Sequence, residues 1–190
     1  MGWIKSGSAT ATGATTNQTI TGLGSNEFYM AFSHIVSGVG ANQAELQFGN
    51  NSITTSGYSF TQDKNGVQAA ASNSTSVFKI HNTSAQVDRL FVAFICNQPT
   101  EEKIMFAHGM QNSSGTAAPD MSENHGKFIL TSEINQIKNQ SSNLQDGTNF
   151  TALGSDGVEA LNVQDGAVYY DKTLNKEYVL YNKAWTELWP

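Results

Sequence analysis

Residues 27–36 read Glu-Phe-Tyr-Met-Ala-Phe-Ser-His-Ile-Val. Alternation sets Phe28, Met30, Phe32, His34 and Val36 on one face, the period of a half-buried β-strand rather than of a helix. The next strand repeats the pattern: Gln43 to Phe48 sends Ala44, Leu46 and Phe48 inward and Gln43, Glu45 and Gln47 outward. Arg89 to Cys96 is apolar on both sides, which marks a central strand covered on both faces. Shorter strands are expected at Asn17–Leu23, Tyr58–Thr61, Ser76–Ile80, Ile104–His108, Lys127–Leu130, Ile134–Lys138 and Val158–Val163. Clusters of Gly, Ser, Asn and Asp at Gly49–Gly57, Asp63–Gly66, Asn112–Pro119 and Asp146–Thr148 read as turns, because they offer positive φ and local side-chain bonds to the backbone. The fold expected is all-β, a jelly-roll-like β-sandwich with a C-terminal β-hairpin extension.

Composition fits. The 190 residues suffice for one well-buried core, and Ser, Thr and Asn together outnumber Asp, Glu, Lys and Arg more than twofold. A helical protein would carry Glu, Lys and Ala on its faces instead. The first 30 residues are mostly small and polar and read as an arm. The sandwich is expected over residues 1–163 and the hairpin over 164–190. Gly109 to Gly126 reads as the longest irregular loop and the best loop candidate for a functional surface.

Net charge is −6 and Arg89 is the only arginine, so no nucleic-acid partner is expected. Met1 to Lys5 leads into a Ser/Thr/Gly stretch without an apolar signal core, and Leu90 to Cys96 is too short to cross a bilayer; synthesis in a cytoplasm and no membrane insertion are expected. Cys96, the sole cysteine, reads as a buried structural thiol.

Catalytic signatures are lacking. His34, His81, His108 and His125 form no HExxH pattern, and no nucleophile elbow, phosphate loop or dinucleotide fingerprint occurs. Carboxylate pairs exist at Glu101 with Glu102 and at Asp120 with Glu123, the raw material of glycoside hydrolysis. Glu101 and Glu102, however, stand beside Lys103 as a solvated strand entrance. Neither catalytic residues, nor a metal, nor a cofactor are expected.

Gly166 to Trp189 reads GAVYYDKTLNKEYVLYNKAWTELW. Ala167–Asp171 and Glu177–Tyr181 are dense in Tyr and Val, and the segment between them is turn-forming. Two strands alone are marginal in water, so the aromatic face of this hairpin needs cover. Tyr169, Tyr170, Tyr178, Tyr181, Trp185 and Trp189 are the candidate interface residues, since desolvated Tyr and Trp are the usual energetic centres of interfaces.

The terminal pattern, carried by Tyr169, Tyr170, Asp171, Thr173, Leu174, Asn175, Lys176, Tyr181, Asn182 and Trp185, resembles the short hairpin of bacteriophage tail-fibre and other virion-surface proteins. Lys172 and Lys183 depart from it. A second resemblance, to small β-rich tail or virion proteins of tailed phages, runs through Ile20–Leu23, Leu46–Ser52, Ile134–Lys138, Gly147–Ala152 and Val158–Leu161. The resemblances imply a non-enzymatic virion structural protein, exposed on the particle, first a tail or fibre component and second a capsid-decorating protein. Other virion proteins would be its partners, and a homotrimer its assembly. The rival from another class is a carbohydrate-binding module for host-surface glycans.

Overall fold

A computed structural model gives the structure of the chain. It describes residues 3–36, 43–82, 87–112, 118–155, 168–171, 176–181 and 184–187. The chain divides into two compact units, one spanning Trp3–Gly157 and the other containing the C-terminal strands. The expected strand Val158–Val163 lies outside the described residues.

The first unit is a β-sandwich. Its strands are β1 (Ile4–Thr10), β2 (Thr15–Thr21), β3 (Phe28–Ile35), β4 (Gln43–Gly49), β5 (Tyr58–Lys64), β6 (Val67–Thr75), β7 (Phe78–Asn82), β8 (Arg89–Cys96), β9 (Lys103–Gln111), β10 (Asp120–Phe128), β11 (Gln136–Leu144) and β12 (Asn149–Ser155). The larger sheet runs β1-β12-β3-β8-β9-β10-β5-β6 and the smaller β2-β11-β4-β7, with every pair antiparallel. No helix occurs among the described residues.

The core lies between the sheets. Phe48 of β4 meets Tyr58 of β5 and Phe128 of β10, and the Tyr58 and Phe128 rings stack at 4.4 Å. Phe60 of β5 meets Phe78 of β7 edge-on at 6.3 Å. Tyr29, Ala31 and Ile35 of β3 and Phe91, Ala93 and Ile95 of β8 complete it from the larger sheet, and Leu46, Ile80 and Ile137 from the smaller.

A polar junction at Ile80 is among the links between the sheets. A bulge between Ala44/His81 and Glu45/Lys79 leaves Ile80 as the extra residue of β7. Its buried carbonyl accepts from Gln62 Nε2 at 3.0 Å, Ser122 Oγ at 2.7 Å and Asn124 Nδ2 at 2.8 Å, all from the larger sheet. A buried carbonyl without a partner is costly. Replacing Ser122 and Asn124 together with Ala is expected to lower the unfolding free energy by about 2 kcal/mol, read from urea midpoints.

Several expectations change. The first residues are not an arm, because β1 pairs with β12 along the edge of the larger sheet. Small residues make that contact, and a side chain at Gly7 would collide with Ile20. β6 follows β5 through a two-residue turn in which Asn65 and Gly66 have φ of 50° and 81°, the hairpin geometry for which Asn-Gly is suited. Gly109 to Gly126 is mostly paired strand, with Asp120 opposite Gln111 and Gly126 opposite Met105. Glu45 and Gln47 do occupy outward register positions, yet both are buried. Burial pushes the Glu45 carboxyl above its ordinary value, against the opposing pull of Lys79 and Lys138.

The C-terminal unit contains β13 (Val168–Asp171), β14 (Lys176–Tyr181) and β15 (Ala184–Glu187). It is a three-stranded meander rather than a hairpin of two strands, since Trp185 pairs with Leu180 in a further antiparallel ladder.

Candidate functional site: the outer face of the larger sheet

The structure decides which side of β3 and β8 meets the core. In β3 the buried residues are Tyr29, Ala31, Ser33 and Ile35, while Phe28, Met30 and Phe32 are half-buried and His34 is exposed on the outer side. In β8, Arg89, Phe91, Ala93 and Ile95 face inward, and Leu90, Val92, Phe94 and Cys96 face outward. The apolar run of β8 is thus central in its sheet, but among the described residues of this unit the smaller sheet covers it on one side only. Cys96 is half-buried on the outer face rather than sealed in the core.

Register assembles these outward residues into rows across the sheet. One row runs Met30, Phe94, Phe106, His125; the next runs Phe32, Val92, His108, Glu123; a third runs His34, Leu90, Met110, Met121. Phe28, Cys96 and Ile104 begin a fourth. Phe94 stacks on Phe106 at 4.7 Å, and Trp3 meets Phe94 edge-on at 6.4 Å. The twelve outward positions of β3, β8 and β9 contain no Asp, Glu, Lys or Arg. The outer side of the smaller sheet is the opposite in character: Thr15, Asn17, Thr19, Gln136, Lys138 and Gln140 occupy it.

A groove of about 530 Å³ crosses one end of the apolar face, floored by Phe32, Leu90, Val92, Met110 and Met121 and bordered by Asp63, Asn65 and Glu123. A polar corner fixes that border. Asp120 accepts hydrogen bonds from Asn65 Nδ2 at 3.0 Å and Gln111 Nε2 at 2.7 Å and pairs with Lys64 at 3.3 Å. Asn65 also accepts from the backbone N–H of Met121 at 2.8 Å, so the β5–β6 turn is tied to β10.

These bonds, led by that from Asn65, pull the Asp120 carboxyl down to about 2 from its ordinary 3.8. The folded value lies below the unfolded one, so the contribution is fully present above pH 3.8 and lost as pH falls through about 2. Wild type is expected to unfold at higher urea than Asp120→Asn above pH 4, with the gap closing towards pH 2. A gap that is constant with pH would contradict the assignment.

The carboxylate candidates are not brought together as reacting pairs. Asp120 and Glu123 occupy opposite faces of β10, while Glu102 pairs with Lys127 at 2.6 Å and Glu123 with His125 at 3.4 Å. Arg89, the one arginine, is 2% exposed in the sandwich interior, and burial draws its guanidinium down to about 10. His34, His108 and His125 share the outer face of the larger sheet; the side chain of His81 lies outside the described features. Among the described residues no group of three His, Cys, Asp or Glu has metal-holding geometry.

Of the terminal aromatics, Tyr169 lies opposite Tyr178, Tyr170 opposite Glu177, and Tyr181 opposite Ala184. Trp189 and the Lys172 and Lys183 turns lie outside the described residues. The outer apolar face was absent from the sequence-derived site. Its signal was nevertheless there, in a strand apolar on both sides that the smaller sheet of its own unit covers on one side.

No family model matches the chain, and neither does a curated protein or a solved structure.

Proposed function

We propose that this chain is a non-enzymatic structural protein of a tailed-phage particle, exposed on its surface as a tail or fibre component, with capsid decoration as the second position. The observation that carries the assembly part is the broad apolar face of the larger sheet, which no charged side chain interrupts across three strands. Monomeric soluble proteins rarely leave such a surface in water. The particle assignment rests on the terminal pattern from Tyr169 to Trp185, the resemblance to tail-fibre hairpins.

We also read the strand order as a jelly roll. β1-β12-β3-β8 and β2-β11-β4-β7 supply its two four-stranded layers, with β9, β10, β5 and β6 widening one of them. Immunogold labelling of purified particles tests the function: decoration of tail or fibre supports the first reading, decoration of the head the second. Absence from particles by labelling and by mass spectrometry would overturn both.

The groove beside Asp63, Asn65 and Glu123 favours one rival, a host-surface glycan laid against Phe32 and Val92. A glycan array with the isolated protein separates the two, because an assembly face gives no saccharide selectivity.

A further inference from the structure

We infer that the outer face of the larger sheet is the interface between copies of this chain. The inference deepens the assembly reading by naming the partner, and it does not depend on the particle assignment.

Area is the first argument. Leu90 is 48% exposed, Ile104 66%, Phe106 41%, Met110 47% and Met121 58%. At roughly 200 Å² for a fully exposed large side chain, these five alone leave about 500 Å² of apolar surface in one contiguous patch. The half-buried Phe28, Met30, Phe32, Val92, Phe94 and Trp3 extend it. Together they bring the face towards the about 800 Å² that each partner supplies to a stable interface.

Charge is the second. The chain carries −6, so two copies repel unless they meet where that charge is absent. The outward positions of β3, β8 and β9 are such a place: on this face Glu123, Lys127 and Asp63 stand to one side of them, on β10 and β5, and Lys5 stands to the other, on β1. Aromatic and Met enrichment with charge depletion is the composition of interface cores.

The third argument is the sequence of β8. A strand buried on both faces reads as an unbroken apolar run, and Leu90 to Cys96 has that form. The smaller sheet covers its inner side. A copy packed on the outer side gives β8 the two-sided cover for which its residues are suited.

Cys96 makes the face observable, since the only thiol of the chain stands on it between Phe28 and Ile104. The test compares the full chain with Phe106→Glu and Leu90→Lys at tens of micromolar, by sedimentation velocity and by the rate of Cys96 alkylation with a maleimide. Both substituted side chains are outward and solvent-accessible, so each variant is expected to keep the wild-type circular dichroism spectrum and melting behaviour of a monomer.

Wild type is expected to sediment as an oligomer with slow alkylation. Each variant is expected to weaken association at least about thirtyfold, the loss of an interface hot spot, and to alkylate quickly. A monomeric wild type with fast alkylation would overturn the inference. A monomeric wild type with slow alkylation would overturn it too, since the cover would then come from the chain's own C-terminal unit. An oligomer that neither variant dissociates would place the interface elsewhere. The failure of the particle assignment looks different: an intact, Phe106-dependent oligomer that is missing from virions.

Discussion

Tyr58→Ala is expected to lower the unfolding free energy by about 4 kcal/mol, within the range for removing a buried aromatic side chain. Tyr58 is fully buried where three strands from two sheets meet. Its ring stacks on Phe128 with an 8° interplanar angle. Its hydroxyl oxygen accepts from the backbone N–H of Phe48 at 2.7 Å and its proton serves the Thr54 carbonyl at 3.0 Å. Burial pushes the phenol well above its ordinary pKa, so it stays a neutral donor throughout the working pH range. Tyr58→Phe keeps the ring and loses the bonds, for an expected cost of about 1–3 kcal/mol. Urea unfolding of both variants separates packing from hydrogen bonding; equal losses would mean that the ring contributes little.

Lys103→Met is expected to cost about 3 kcal/mol although it keeps the length and apolar stem of the side chain. The Lys103 ammonium is buried at the start of β9 and donates to the carbonyls of Gln98, Glu101 at 2.9 Å and Thr131 at 3.5 Å. The Gln98 and Glu101 carbonyls belong to the β8–β9 connection, strained at Thr100, whose φ of 69° is unfavourable for a β-branched residue, and Thr131 belongs to the β10–β11 connection beside it. The backbone bond from Thr100 N to Thr131 O, 2.8 Å, holds the same crossing. Without the ammonium the Gln98 and Glu101 carbonyls lose this donor, Thr131 keeps only the Thr100 N–H, and the strained turn loses its clasp. Burial draws the ammonium below its ordinary pKa, yet the three carbonyls favour the charged form. A Met variant as stable as wild type in urea would contradict this role.

The class of the fold was legible because period-two alternation in Glu27–Val36 and Gln43–Phe48 reports strands whichever side is buried. The side itself was not. Alternation groups Phe28, Met30 and Phe32 on one face without deciding which face meets the core, and the closely packed interior takes Ala31 and Ser33. Ser33 Oγ donates to the Asn149 carbonyl at 2.6 Å and accepts from Asn139 of the facing sheet at 3.2 Å. A face with small and polar residues is thus the inner one, and the aromatic face is the outer one.

Two further strands were hidden for a related reason. β10 reads as a loop because its inward Ser122 and Asn124 are polar, chosen for the bulged Ile80 carbonyl, and that bulge has no local sequence signal. β12 is hidden by Thr151, Ala152 and Gly154, small residues between β1 and β3 where a side chain at Gly154 would strike Asn26 and Ser6. The terminal aromatics were legible as strands, and their register confirms the β13–β14 ladder. The face on β3, β8 and β9 emerges only when three separate stretches are brought side by side.

The central claim is that this face is covered by copies of the same chain, and the native mass of the unmodified 190-residue chain tests it most directly. Native mass spectrometry at micromolar concentration is expected to give a single dominant multiple of 20.5 kDa, with a homotrimer as the proposed state. A dominant species at 20.5 kDa, unchanged as concentration rises, would contradict the account.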